Sequence, residues 1–200
     1  YGNGADDPYI TNGWTEHSWE DCTGDFMGTN QSALGSSDGS TTFIYYVNGF
    51  PYSGTGLGDG CYGMKLFFES RGYTVTGYYS QYIYGYNGNT LGFTFEQYKN
   101  EIDNGRPVMI QVVGHSMVGV GYDPVGEIVY LHNTWDYSTY SMVWGSSYEG
   151  MEHYGVAVVQ LAPAPQPIVA DFAASAASQL EYITVDLTDR SWGSPVSWNW

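Results

Sequence analysis

Three polar residues have types and an order along the chain that fit nucleophilic chemistry: Cys22, His115 and Asn133. A thiolate is a strong nucleophile, and the free amides and dipole of a helix N-terminus favour its formation. An imidazole can take the thiol proton, and an asparagine side chain can fix the imidazole tautomer. The order Cys, His, Asn is that of a common class of thiol enzymes. The sequence therefore predicts Cys22 as nucleophile, His115 as base and Asn133 as the residue that orients the base.

The other candidate side chains have simpler interpretations. Cys22 and Cys61 could form one disulfide in an oxidising compartment, and this is the main alternative to a catalytic thiol. Cys61 has no acid–base motif nearby, so we expect it to be structural. We expect His17, His132 and His153 to be surface or hydrogen-bonded side chains. No acidic loop has the ligand spacing of an EF-hand, so no metal site is predicted, and thiol chemistry requires no cofactor.

The predicted helices precede the predicted strands. A helix is expected from Cys22 to about Ala33, although each of its two glycines weakens it by roughly 1 kcal/mol. The segment CYGMKLFFESRGY predicts a second helix that Gly72 terminates. The segment TFEQYKNEIDNG predicts a third, which begins at a capping box formed by Thr94 and Gln97. These helices would cover the strands that position the base.

Five apolar segments predict strands: PVMIQVV, SMVGVGY, EIVYLHNTW, SMVW and GVAVVQL. Helices followed by an antiparallel sheet form an α+β layout. Side chains alternate along a strand, so Leu131 and Asn133 lie on one face and His132 lies on the other. Only one of His132 and Asn133 can therefore share a cleft with His115.

Two motifs, GHSMVGVGYD and VYLHNTWD, resemble the His and Asn motifs of the papain-like cysteine peptidase superfamily. The segment DCTGDFMGTNQ is similar to its Cys-bearing helix, particularly in the bacteriocin-processing branch. The resemblance covers Cys22 to about Leu161, and the middle is matched only by the order of helices and strands. It implies a papain-like peptidase domain over residues 1–161, with the Cys-bearing helix packed on an antiparallel sheet and catalysis through a thioester acyl-enzyme. Trp135 is then expected to shield the His–Asn hydrogen bond from water.

The oxyanion site departs from the family pattern. The family usually has a Gln six residues before the Cys, and this sequence has Glu16 there. A carboxylate repels the developing charge, and losing one donor costs on the order of 10²–10³ in rate. One expected oxyanion donor is the Cys22 backbone amide. The second is His17, as first candidate, or a protonated Glu16, unless the register differs by one residue. An inactive papain-fold binding or adhesion module is therefore a second hypothesis. A transglutaminase-like acyltransferase is a third, which Asn133 disfavours because that class typically has Asp there.

Composition changes at APAPQP, residues 162–167, which predicts a stiff Pro-rich linker. The segments ADF, TVDLTDRS and GSPVSWNW that follow resemble the opening of a polycystic-kidney-disease (PKD) domain, an immunoglobulin-like β-sandwich. Residues 168–200 hold only two or three strands, so we expect an incomplete sandwich held by other protein. A tail-mediated homodimer is one form of this. The aromatic residues expected to be buried there are Tyr182, Trp192, Trp198 and Trp200.

Charge and composition restrict the partners. Asp and Glu number 21 against five Lys and Arg, which gives a net charge of −16 and disfavours nucleic acid as a partner. No apolar run approaches the ~18–20 residues of a membrane helix, so membrane insertion is not expected. The first residues lack a charged-then-apolar leader pattern, so any signal peptide is expected to have been removed or to lie outside this sequence. The excess of Gly and Tyr with little Lys favours an extracellular or cell-surface protein. The expected partner is a peptide or protein substrate.

Overall fold

The computed structural model describes residues 22–36 and 39–163, together with the backbone of two short strands at 172–174 and 187–189. The chain divides into two units, Tyr1–Ala162 and Pro163–Trp200. No helix in these described ranges is long and apolar enough to cross a membrane. Glu16 and His17 lie outside the described residues.

One antiparallel sheet forms the centre of the first unit. Its strands follow the spatial order β1–β7–β2–β3–β4–β5, and β6 pairs with β7. All neighbouring strands are antiparallel, so the α+β architecture is compatible with a papain-like domain. The strands are β1 (Val75–Tyr82), β2 (Val108–Val112), β3 (His115–Asp123), β4 (Ile128–His132), β5 (Tyr140–Val143), β6 (Ser147–Tyr148) and β7 (Met151–Leu161).

Among the described residues, three α-helices accompany the sheet: α1 (Thr23–Phe26), α2 (Gly60–Ser70) and α3 (Phe95–Asp103). The predicted capping box of α3 is confirmed, with the Thr94 hydroxyl accepting from the Gln97 amide. The predicted extent of α1, from Cys22 to about Ala33, is wrong. Gly28 and Asn30 have φ values of +70° and +56°, and this left-handed backbone cannot continue a right-handed helix. The Cys-bearing helix is therefore one turn long.

The sheet is covered on both faces at β2. Val108, Ile110 and Val112 point to the face covered by α3 and belong to the main core. Met109 points to the opposite face and packs with Cys61 of α2. A strand covered on both sides needs apolar residues on both faces, which explains why β2 is nearly continuously apolar. The end of β2 therefore holds the neighbouring residues in a fixed position.

The short helix α1 lies against α2 at a glycine. A Cβ on Gly63 would collide with the main-chain carbonyl of Phe26 and lie 2.5 Å from the Met27 Cα. The Phe26 side chain is buried and meets the ring of Phe67 edge-on, at 5.8 Å between centroids. The backbone that follows Cys22 is therefore held by close contact with α2.

The second unit contains β8 (Phe172–Ala174) and β9 (Leu187–Asp189), which pair antiparallel. The PKD-like assignment of residues 168–200, the linker at 162–167 and the tail-mediated homodimer stay predictions. The tail aromatics lie outside the described residues; they are Tyr182, Trp192, Trp198 and Trp200.

Candidate active site

His115 is the first residue of β3 and lies opposite Val112, the last residue of β2. Its Nε2 is 2.6 Å from the main-chain carbonyl oxygen of Asn133. A carbonyl oxygen only accepts hydrogen bonds, so Nε2 carries a hydrogen, and in the neutral ring Nδ1 keeps the lone pair. The ring is half-buried. The structure therefore brings His115 and Asn133 together in an arrangement that leaves Nδ1 as the basic nitrogen.

The contact uses a different atom of Asn133 from the predicted one. Its buried side chain, only 2% exposed, does not bond the imidazole; Nδ2 donates to the Tyr148 hydroxyl at 3.0 Å. Its Oδ1 accepts from the Trp135 main-chain N–H at 3.0 Å. A side-chain oxygen bonded to the amide two residues later forms an Asx turn. The Asn133 side chain thus shapes the backbone, and the backbone carbonyl meets the base.

The two residues after Asn133 also meet the imidazole. The Trp135 indole stacks on the His115 ring, with 4.9 Å between centroids and 29° between planes. This placement is compatible with the predicted shielding role of Trp135, which stays a prediction. The Thr134 Oγ1 lies 3.3 Å from His115 Nε2. Thr134 was not predicted from the sequence. Its position between Asn133 and Trp135 in HNTWD is the signal that could have indicated it.

Cys22 lies at the N-terminus of α1 as its N-cap residue, in extended backbone, with an exposed side chain. Both Cys22 and Cys61 are thiols, so the alternative of a disulfide between them is wrong. The Cys22 main-chain N–H donates to Oδ2 of the buried Asp25 at 2.7 Å. The amide predicted to hold the oxyanion is therefore engaged by a carboxylate of its own turn. The approach of the Cys22 sulfur to His115 stays a prediction.

A cleft of about 420 Å³ opens beside His115. Its wall mixes apolar side chains with hydroxyl and amide groups. In the wall, Gln111 Oε1 accepts from the Ser116 hydroxyl at 2.7 Å, and its buried Nε2 has no hydrogen-bond partner in the part of the chain that the structure describes. The lining residues are Met27, Gly39, Ser40, Thr41, Phe43, Met109, Gln111, Val112, Gly114, His115, Ser116 and Tyr154.

The remaining cysteine and two of the remaining histidines are placed structurally. Burial raises the pKa of Cys61 to about 12, and its thiol donates to the Val158 carbonyl at 3.7 Å. Burial lowers the pKa of His153 to about 4, and its Nδ1 accepts from the Gly145 N–H at 3.2 Å. His132 lies 3.3 Å from the Ser138 carbonyl. Across residues 22–36 and 39–163 no three metal-ligating side chains cluster. The burial and hydrogen bond of Cys61 agree with its expected structural role, and His153 is a hydrogen-bonded side chain as expected.

Residues 15–156 match the model of the Peptidase_C39 like family. The matched range covers well over half of the chain and contains Cys22, His115 and Asn133. It supports a papain-like cysteine peptidase domain over these residues. The comparison with curated proteins gave no match, and neither did the comparison with solved structures.

Proposed function

The chain belongs to the Peptidase_C39-like family, and from that membership we propose that it hydrolyses peptide bonds with Cys22 as nucleophile, His115 as base and Asn133 as the residue that orients the base. One contact carries this proposal: His115 Nε2 lies 2.6 Å from the Asn133 carbonyl at the edge of a 420 Å³ cleft. That contact leaves Nδ1 unprotonated and ready to accept a thiol proton.

The reaction follows from these roles. His115 Nδ1 takes the proton of the Cys22 thiol, and the thiolate attacks the carbonyl carbon of the scissile peptide bond. The tetrahedral intermediate collapses, the C–N bond breaks, and the leaving amine takes the proton from the imidazolium. A thioester remains on Cys22. Water, deprotonated by His115, then attacks the thioester, releases the carboxylic acid and restores the thiol.

The imidazolium that forms during each half of the reaction is stabilised by its neighbours. The Asn133 carbonyl accepts from Nε2–H, and this bond strengthens when the ring becomes cationic. The stacked Trp135 indole presents its negative face to the cation and reduces access of water to the ring. Both contacts favour proton transfer from the thiol.

The oxyanion requires a change at the Cys22 amide. Asp25 accepts that N–H at 2.7 Å, so a substrate oxygen must displace the carboxylate before the amide can stabilise negative charge. His17 remains the proposed second donor, since the carboxylate of Glu16 is unsuitable when ionised. Removal of one oxyanion donor costs on the order of 10²–10³ in rate, so the number of donors available to the substrate oxygen strongly affects the rate of the reaction.

A second candidate function is a papain-fold binding module without catalysis. The Asp25 contact to the Cys22 amide favours it, because it leaves the donor occupied. The third hypothesis, a transglutaminase-like acyltransferase, shares the order of Cys22 and His115, but that class typically has Asp where Asn133 stands. For either of the first two functions we propose an extracellular or cell-surface location, from the excess of Gly and Tyr with little Lys. We also propose a peptide or protein ligand, since the net charge of −16 disfavours nucleic acid.

Covalent labelling separates the two candidates. The reduced protein is titrated with an epoxide inactivator of thiol proteases, and the adduct is mapped by mass spectrometry. A peptidase gives stoichiometric labelling of Cys22, and His115→Ala abolishes it. Cys61→Ala is the matched control and labels like the wild type, because Cys61 is fully buried. Labelling of wild type and His115→Ala at the rate of a simple thiol contradicts catalysis and supports the binding module.

A further inference from the structure

Thr134 has an unusual backbone conformation. Its φ is +69°, and it is the one β-branched residue with a positive φ among those the structure describes. A branched Cβ is crowded in the left-handed region, so such residues persist only where their surroundings hold them. Conformations of this kind cluster at active sites, where they aim particular groups. Thr134 is next to the contact between His115 and Asn133.

The surroundings that hold Thr134 are visible in the turn. Asn133 Oδ1 accepts from the Trp135 N–H, which closes the turn over Thr134. Asn133 Nδ2 donates to the hydroxyl of Tyr148, which is buried in β6. The Asn133 side chain, anchored in the core through Tyr148, therefore holds Thr134 in its left-handed conformation.

The turn directs three groups at one imidazole. The Asn133 carbonyl lies 2.6 Å and the Thr134 Oγ1 lies 3.3 Å from the same Nε2, and the Trp135 indole covers the ring face. Nε2 carries one hydrogen, so the two oxygens share it as a three-centre bond. A threonine hydroxyl can accept there, whereas a residue with normal φ would turn the carbonyl of Asn133 away.

We propose that Thr134 is a positioning residue for His115: its left-handed backbone aims the Asn133 carbonyl at Nε2, and its hydroxyl accepts from the same N–H. This inference rests on the proposed role of His115 as base. In this arrangement the turn orients the His115 ring, and the Asn133 side chain bonds the turn and not the ring. If Thr134 served only to form the turn, replacing it would not affect the His115 imidazole.

Three substitutions test the hydroxyl and the backbone. Thr134→Val keeps the branched shape and removes the acceptor, Thr134→Ser keeps the acceptor, and Thr134→Gly removes the acceptor but adopts a positive φ readily. A hydrogen bond to a charged group, here long and exposed, is expected to be worth about threefold to tenfold in kcat/KM. We expect that loss in Thr134→Val, a near wild-type value in Thr134→Ser, and in Thr134→Gly a loss no larger than that of Thr134→Val, because its backbone still aims the Asn133 carbonyl at Nε2.

A readout that does not depend on activity accompanies the kinetics. Nitrogen-15 NMR of the His115 ring, assigned by comparison with His115→Ala, reports which ring nitrogen carries the hydrogen. We expect the Nε2–H tautomer in the wild type. We expect a smaller share of this tautomer in Thr134→Val and a restored share in Thr134→Ser, since an acceptor beside Nε2 favours the tautomer that donates to it.

The outcomes distinguish this inference from the proposed function. Peptidase activity with identical kinetics and identical tautomer shares in wild type and Thr134→Val overturns the role of Thr134 and leaves the peptidase standing. A loss in Thr134→Ser equal to that in Thr134→Val also overturns it. If no variant cleaves peptides, the tautomer shares still decide whether Thr134 acts on His115. Urea unfolding of each variant confirms that the compared proteins are folded.

Discussion

Two histidines flank the same residue of the sheet in opposite environments. His115 of β3 and His153 of β7 are each paired with Val112 of β2. His115 is half-buried beside a cleft, with two oxygens on its Nε2. His153 is 1% exposed, with its ring perpendicular to Trp144, and burial lowers its pKa to about 4. A base needs both access and a partner that fixes its tautomer, and only His115 has both.

The two cysteines repeat the contrast. Cys22 is exposed at the start of α1, whereas Cys61 belongs to α2 and its side chain is buried against the sheet. Burial raises the pKa of Cys61 to about 12, so almost none of it is thiolate at neutral pH. Residue type alone therefore does not identify the reactive pair; exposure and hydrogen-bond partners do.

The largest expected effect separates the two histidines. His115→Ala is expected to lower kcat/KM at least ~10³-fold by removing the base, with the free energy of unfolding changed by less than ~1 kcal/mol. His153→Ala is expected to leave kcat/KM of the folded protein nearly unchanged and to lower the free energy of unfolding by about 2–4 kcal/mol, since it opens a cavity. Peptidase assays and urea unfolding measure both. Equal effects of the two substitutions on kcat/KM would break the contrast.

Much of the fold could be predicted from local pattern. The alternation that places Leu131 and Asn133 on one face is confirmed, since both are buried. The capping box at Thr94 fixed the start of α3 because capping depends on residues three apart. For the Tyr- and Gly-rich segment from Tyr73 to Phe93 the sequence indicated short strands at best. The eight-residue strand β1 (Val75–Tyr82) depends on pairing with β7 about 80 residues away, which local pattern does not show.

The site was predictable as a set of residues but not as a set of atoms. Motif spacing indicated His115 and Asn133 as a pair. The choice between the side chain and the carbonyl of Asn133 depends on Tyr148, which draws the side chain away and supports the left-handed Thr134. No local rule links residue 133 to residue 148. The short α1 was missed for a related reason: Asn30 adopts positive φ, which a sequence pattern does not require.

A second prediction uses the pH dependence of stability. His153 has a folded pKa of about 4, below the ordinary value of about 6.5, so between these values the unfolded chain binds a proton that the folded chain does not. Stability from this group is complete above pH ~6.5 and declines as pH falls to 4, by about 3 kcal/mol.

His153→Gln does not titrate and removes this component. Urea unfolding of wild type and His153→Gln at pH 7, 5.5 and 4.5 measures it, and the difference between the two proteins cancels the carboxylates that titrate in both. The curves are expected to converge or cross as the pH falls. Curves that stay parallel would show that His153 takes up a proton as readily in the folded protein as in the unfolded chain.

The smallest expected effect concerns the contact that positions Cys22. Gly63 lies two residues after Cys61 on α2 and touches the backbone of α1 at Phe26. Gly63→Ala adds a methyl group where no space exists, and although alanine favours a helix, overpacking is expected to lower the free energy of unfolding by about 1–3 kcal/mol. The control Gly58→Ala points into open space and is expected to be neutral within ~0.5 kcal/mol.

The same substitution sharpens the contrast between the thiols. Because Gly63→Ala displaces α1, we expect slower epoxide labelling of Cys22, while Cys61 stays unlabelled inside the core. Mass spectrometry of the labelled protein measures both thiols in one sample. Faster labelling of Cys61 would mean that the added methyl group opens α2 itself. A variant as stable and as reactive at Cys22 as the wild type would show that α1 moves away from α2 without cost, and that Gly63 does not hold the nucleophile in place.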